Sequence, residues 1–211
     1  DNFLMSLSHD LWERNFDLAL QSLNTKFVQG IKTGKLPKIK FQLYVAQDYY
    51  FLKSFAKAYG LAISKCEDND SIKVLSELLL GVSEELLLHE SYSKKWDINL
   101  KSNFIRTETK NYTDFLENIS KNKNCIEILS AMTPCMRLYS WIGQSLIKYK
   151  ENNRYKDWIV TYSDSTFDKL AKSLEELIDQ KSNHSKFDDL NVFYEKAMQL
   201  ELEFFDAYSD F

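Results

Sequence analysis

The sequence predicts an all-α fold, a single-domain multi-helical bundle. Three observations carry that expectation. Only 5 Gly and 2 Pro occur in 211 residues, too few for a sheet-rich fold, which needs turn residues every ten positions or so. Apolar residues recur at helical spacing through most of the chain. The polar stretches between these runs are short, as in bundles of neighbouring helices. A chain of this length can bury a substantial core. No internal repeat, low-complexity tract or linker divides it, so residues 1–211 are expected to form one domain of seven or eight helices.

Composition narrows the function classes. Hydrophobic residues make up 44% and charged residues 27%, an ordinary soluble mix. The net charge of -4, with no basic block, argues against a nucleic-acid partner. No apolar run has transmembrane length and the N-terminus has no signal-peptide pattern. The three cysteines, Cys66, Cys125 and Cys135, are odd in number and not at metal-ligand spacing, so they read as reduced thiols in a cytoplasmic protein. Aromatic residues reach 14%, enough to line a pocket for a flat ligand as well as to fill a core.

In chain order, residues 9–29 carry Leu11, Phe16, Leu20 and Phe27 at mostly helical spacing, with Ser8 as the candidate cap. Gly30, Gly34 and Pro37 mark a break. From Lys38 to Gly60, Phe41, Tyr44, Val45, Asp48, Phe51, Leu52 and Phe55 form one stripe, with an aspartate inside it. A buried carboxylate is costly without partners, so Asp48 calls for a partner or a role; an interhelical ion pair serves as well as a ligand contact. Residues 67–70 read as a polar loop. Ser71 to Lys94 then forms a helix with Val74, Leu78, Val82, Leu86 and His89 on one face. Glu85 and His89 stand at i, i+4, but no second Glu/His motif exists among the chain's three histidines, so a dinuclear metal site is not expected. His89 reads as a hydrogen-bonded helix residue.

Residues 95–108 are polar and irregular. A helix beginning around Tyr112, Phe115, Leu116 and Ile119 gives way to a Lys/Asn-rich interruption, 118–124. Thr133-Pro134-Cys135 then has the pattern of a helix start. Pro134 suits a first turn, where its missing N–H is unpaired anyway, and Thr133 suits the N-cap. Cys135 would sit among free amides at the positive dipole end, which favours a thiolate. Cys135 can equally be read as a small buried apolar residue. After the loop 150–154, Tyr155 to Lys181 is helical with a break near Ser163. Residues 186–208 form the last helix, with Phe193, Ala197, Leu200, Glu201, Phe204 and Tyr208 on one stripe. Glu201 thus repeats the pattern of Asp48.

Three polar residues, Asp48, Cys135 and Glu201, therefore interrupt apolar stripes on three separate helices, accompanied by the hydroxyls of Tyr112, Tyr139 and Tyr162. Brought together, they would supply a thiol nucleophile, two carboxylates and a flat aromatic lining. No Cys/His pairing of the protease kind is evident, so a carboxylate would be the proton-transfer partner. No Gly-rich phosphate loop is present.

The segments YVAQDYYFL (44–52), ELLLHESY (85–92), NYTDFL (111–116), TPCMRLY (133–139), YKDWIVTYSDSTF (155–167) and LELEFFDAY (200–208) resemble, in order and separation, the TenA family, the thiaminase II or aminopyrimidine aminohydrolase group. The resemblance covers nearly the whole chain and points to the cysteine-containing branch. It implies a fold like that of haem oxygenase, without haem, assembled as a homotetramer. It implies hydrolysis of the substituent from the 5-methylene of a 4-amino-2-methylpyrimidine, in aminomethylpyrimidine or thiamin, with hydroxymethylpyrimidine salvaged for thiamin synthesis. No metal or organic cofactor is implied. Carried onto this chain, the nucleophile falls on Cys135, the acid/base on Glu201, and the aspartate that binds the aminopyrimidine on Asp48. Tyr112, Tyr139, Tyr162, Phe51 and Phe204 would form the substrate pocket. Phe51 departs from the tyrosine many members carry, so one hydroxyl near the site is lost. The alternatives are a non-catalytic aminopyrimidine-binding relative, a helical metal oxidase and a purely structural helical protein. The three polar residues argue against the first and last, the scarcity of histidine against the second.

Overall fold

Ten α-helices and two short 3-10 segments account for the regular structure among the described residues, 5–101 and 104–210, of the computed structural model. No strand occurs among them, as the scarcity of turn residues leads one to expect. Residues 102 and 103, inside the expected irregular stretch 95–108, lie outside the described residues.

The first expected helix, 9–29, is three: α1 (Leu7–Arg14), α2 (Phe16–Leu23) and α3 (Lys26–Thr33). Asn15 ends α1, its side-chain amide donating to the Leu11 carbonyl and to Asn191. Thr25 caps α3 by accepting from the Val28 amide. The cap of α1 is Ser6, which accepts from the His9 amide. Ser8 is turned away, its amide and hydroxyl both donating to Asp179, each at 2.8 Å. Leu20, placed on the apolar stripe by spacing, points outward at 38% exposure because the chain changes direction at Asn15.

Two long helices follow, α4 (Lys38–Lys65) and α5 (Asn69–Trp96). The expected stripe of α4, Phe41 through Phe55, is buried throughout. Asp68, within the expected polar loop, is the N-cap of α5 and accepts from the Ser71 amide. Next, α6 (Thr107–Asn122) runs through most of the Lys/Asn-rich stretch expected to interrupt it. Residues 118–122 continue the helix with side chains largely in water, and Ile119 and Ser120 hold its buried face.

The helix carrying Cys135 begins nine residues earlier than the proline suggests. Helix α7 (Cys125–Leu146) is started by Asn124 and Glu127, whose side chains cap each other's backbone amides. That reciprocal pair satisfies two free amides and outweighs the Thr133-Pro134 signal. Pro134 therefore lies inside the helix, where its ring removes one backbone donor, and the Thr133 hydroxyl donates to the Leu129 carbonyl at 2.7 Å. Cys135 is three turns from any helix start, so the dipole argument for a thiolate does not apply. The remaining helices are α8 (Lys156–Ser163), α9 (Ser165–Lys181) and α10 (Phe187–Asp206). The break expected near Ser163 falls at Asp164, the N-cap of α9.

The reading of all three cysteines as free thiols is overturned. Cys66, at the end of α4, and Cys125, the first residue of α7, form a disulfide with a Cα–Cα distance of 5.7 Å. Only Cys135 is free. The pairing removes the ground on which a reducing compartment was expected. Among the described residues, no helix is long and apolar enough to cross a membrane.

Helix α7 lies centrally, against α8, α9 and α10, while α4 packs between α5 and α6. One continuous apolar cluster runs through all of these. On α7, Gly143 permits the closest approach: a Cβ there would stand 2.4 Å from the backbone carbon of Tyr162. This contact brings Tyr162 on α8 beside Tyr139 on α7, with ring centroids 4.6 Å apart. The guanidinium of Arg137 fixes α7 to α9 through Asp168 and Glu175, at 2.7 and 2.5 Å.

Candidate active site

Side chains of α4, α5, α7, α8 and α9 line one small interior cavity. Asp48, Phe51, Glu85, Cys135, Tyr139 and Tyr162 are among the residues lining it. Glu201, Tyr112 and Phe204 pack behind this wall. Tyr112 donates to Glu201 Oε1 at 2.6 Å, its ring lies 4.5 Å from that of Phe51, and Phe204 lies 5.7 Å from Phe51. All eight side chains singled out from the sequence are thus gathered around one centre, five at the cavity surface and three in the layer beneath.

Cys135 and Glu201 form the core of the arrangement. Glu201 is completely buried, and its Oε2 has no hydrogen-bond partner. Burial pushes its carboxyl up to about 8, against the hydrogen bond from Tyr112 and the nearby Cys135 thiol, which pull it down. Burial likewise raises the Cys135 thiol, and the charges of Glu201, Glu85 and Asp48 raise it further. The empty site therefore holds a protonated thiol beside a carboxyl that titrates near neutrality. One proton moving between them converts a thiol and a carboxylate into a thiolate and a carboxylic acid.

Asp48 has the partner its buried position demands. His89 Nε2 lies 2.7 Å from Asp48 Oδ2, and His89 Nδ1 lies 2.8 Å from the Glu85 carbonyl. Both ring nitrogens are engaged, which leaves none for a metal. Burial opposes protonation of His89, but the hydrogen bond and charge of Asp48 outweigh it, so its pKa is raised. The ion pair fixes the Asp48 carboxylate with its other oxygen available to a ligand. Further polar order comes from Tyr44, missed in the sequence: its hydroxyl meets that of Tyr139 at 2.8 Å and accepts from Trp158 Nε1 at 3.3 Å.

Glu85 was weighed only as half of a metal motif, yet it is a wall of the cavity. The Tyr162 hydroxyl donates to Glu85 Oε2 at 3.3 Å. Protein surrounds the carboxyl closely, and this burial, with the charge of Asp48, pushes it up to about 7 against the pull of His89. The residue keeps part of its surface open, which tempers that shift. Its signal was available: two polar residues of opposite type, Asp48 and His89, on the apolar faces of consecutive helices invite pairing, and Glu85 stands one turn before His89.

The chain is similar to known proteins along nearly its whole length. The chain is 34% identical over 228 aligned positions to the "Bifunctional TH2 protein, mitochondrial" of Arabidopsis thaliana, covering 96% of this chain and 37% of that protein, so it spans little more than a third of that relative. It is 29% identical over 217 positions to the "Aminopyrimidine aminohydrolase" of Halalkalibacterium halodurans, covering 98% and 97% of the two chains. A solved "TenA homologue protein from P.horikoshii OT3" superposes with a TM-score of 0.89 at 25% identity, covering 97% and 98%. Haem oxygenase-1 from the cyanobacterium Synechocystis superposes with a TM-score of 0.67 at 14% identity, covering 96% and 92%, and shares the fold alone. The profile of the TENA/THI-4/PQQC family matches residues 15–210; the chain belongs to that family.

Proposed function

We propose that this protein is a hydrolase that removes the substituent from the 5-methylene of a 4-amino-2-methylpyrimidine, aminomethylpyrimidine or thiamin, releasing hydroxymethylpyrimidine for thiamin salvage. The observation that carries the reading is the buried Cys135 thiol beside the Glu201 carboxyl with its unpartnered Oε2. An interior without hydrogen-bond partners for a carboxylate oxygen is costly unless a ligand or a reaction uses it. The name of the Halalkalibacterium halodurans relative, matched along nearly its whole length, supports the same chemistry.

Cys135 passes its proton to the Glu201 carboxylate, and its sulfur forms a bond to an electron-poor carbon of the pyrimidine ring. The displaced ring electrons expel the substituent and leave an exocyclic methylene; where the leaving nitrogen is neutral, the Glu201 carboxyl supplies its proton. Water then adds to the methylene, giving a proton to Glu201 where that carboxyl has protonated the leaving group, and to bulk water where the substituent left from a cation and Glu201 still holds the Cys135 proton. The C–S bond breaks as the ring regains aromaticity, and the thiol recovers its proton. The carboxylate of Asp48, held by His89, accepts from the 4-amino group and fixes the ring. The rings of Tyr139, Tyr162 and Phe51 flank it, an arrangement suited to a flat heterocycle. Phe51 places no hydroxyl at its position, so orientation rests on Asp48 and the tyrosines.

We also read residues 1–211 as one domain, because one apolar cluster joins helices from both ends, and as the subunit of a homotetramer. Leu80 and Leu87, 61% and 63% exposed and seven residues apart on α5, support self-association.

The deciding experiment measures turnover of aminomethylpyrimidine and thiamin side by side, for wild type and Cys135→Ser. Turnover of either substrate that is lost in the variant is the expected result. Wild-type turnover that survives the substitution would reject Cys135 as nucleophile. No turnover with tight binding of hydroxymethylpyrimidine would make the protein a binding module.

A further inference from the structure

The Cys135 cavity is small, about 20 Å³, room for about one water molecule. It adjoins a larger groove of about 390 Å³ opening to the surface between α5, α8 and α9. Val82, Glu85, Met136 and Phe167 line both spaces and so form the neck between them. Glu85 is the only polar residue of these four. Farther out the groove carries Glu84 and Asp164, and among the described residues no Lys or Arg lines it.

We propose that Glu85 selects substrates whose 5-methylene substituent is a cation, holding an ammonium or thiazolium group at the neck while the pyrimidine ring lies on the Cys135 side of it, with the neck side chains Met136 and Phe167 moving aside to admit the ring. The inference rests on the aminopyrimidine reading above. Three carboxyls surround the place where the ring would lie, and two are already committed. Asp48 is paired with His89, and Glu201 is held toward its protonated form by burial. Glu85 has only the Tyr162 hydroxyl on its Oε2, and no basic side chain forms an ion pair with it among the described residues. A cation leaving water for this neck needs a counter-charge, and Glu85 is the group positioned to supply it. After the C–N bond breaks, the substituent departs as a neutral amine or thiazole. It then loses its attraction to Glu85 and can leave through the groove. The same acidic groove, with no base, repels a phosphorylated substituent.

The test is titration calorimetry at pH 7.5 in a Cys135→Ser background, where the ligand is not hydrolysed and which serves as wild type with respect to Glu85, with two ligands of equal size, aminomethylpyrimidine as its ammonium cation and neutral hydroxymethylpyrimidine. Wild type should bind the cation at least about tenfold more tightly, a difference a close charge pair readily supplies. In Glu85→Gln that ratio should fall to near one, with affinity for the neutral ligand changed by less than about threefold. Equal affinities in wild type, or a preference that survives in the variant, would overturn the inference while leaving the aminopyrimidine reading intact. Failure of wild type to bind either ligand would overturn both. Should the variant not fold, wild type alone decides: thiamin is expected to bind at least about tenfold more tightly than thiamin monophosphate, and parity would count against Glu85 and its groove.

Discussion

At the scale of single residues, the site is governed by what burial does to ionisable groups. Cys135 is no activated surface thiol; apolar surroundings and nearby carboxyls hold it protonated. In the proposed mechanism Glu201 is the base, because the same burial has raised it to about 8. Replacing Cys135 by Ser should lower kcat by about a thousandfold or more, with KM little altered. Glu201→Gln should lower kcat roughly 10²- to 10⁴-fold. Because Glu201 must accept the thiol proton, kcat/KM for thiamin, whose positive charge does not titrate here, should rise with pH toward about 8. Tyr112→Phe removes the 2.6 Å hydrogen bond that lowers the Glu201 carboxyl. The rising limb should therefore move to higher pH, and a profile that does not move would separate Tyr112 from the titrating group.

At the scale of elements, α7 is the axis. Its 22 residues carry Cys135, Met136, Tyr139 and Gly143, and its ends are tied on one side by the disulfide to α4 and on the other by close contact with α8. Gly143→Ala would drive a Cβ into the Tyr162 backbone at 2.4 Å. Backbone cannot rotate aside as a side chain can, so a loss of roughly 3 kcal/mol is expected. A melting temperature lowered by about 6 °C or more would show it. Disturbed geometry at Tyr162 should reduce turnover as well. The Cys66–Cys125 bridge closes a loop spanning a sequence separation of 59, which in the loop-closure account corresponds to about 4 kcal/mol. The double variant Cys66→Ser with Cys125→Ser should melt correspondingly lower, and reductant should no longer change its melting temperature.

At the scale of the whole molecule, the cluster of carboxyls couples function to stability. A carboxyl raised on folding binds its proton more tightly in the native state, so its stabilising contribution is complete below its unfolded pKa, about 4.3, and is lost as pH rises through the folded value. For Glu201 that window runs from about 4.3 to about 8. Glu201→Gln keeps the shape without the charge. It should therefore be more stable than wild type at pH 9, by roughly 5 kcal/mol, and nearly equal to it at pH 4.5. Denaturant melts of the two proteins at both pH values would check this. An equal difference at both would mean that the buried charge is not what separates them. Such a gain in stability on loss of activity is the usual sign of a strained functional group.

Much of this was written in the order of the residues. Local spacing determined the helices, the apolar stripes and the polar residues embedded in them. Asp48, Cys135 and Glu201 stood out because burying a polar group without a purpose is costly. The ordered motifs then placed the chain in its family. Contacts between distant segments decided the rest. Thr133 and Pro134 have the form of a helix start, but the cap at Asn124, nine residues earlier, with α9 and α10 packed alongside, carries the helix straight through them. Cys66 and Cys125 are distant in sequence, and no spacing rule joins them; they meet because the end of α4 lies against the start of α7. Glu85 looks like a solvated helix residue until α8 brings Tyr162 against it. Local propensity acts over a few residues, whereas burial, and with it every pKa in this site, depends on which helices close over a side chain.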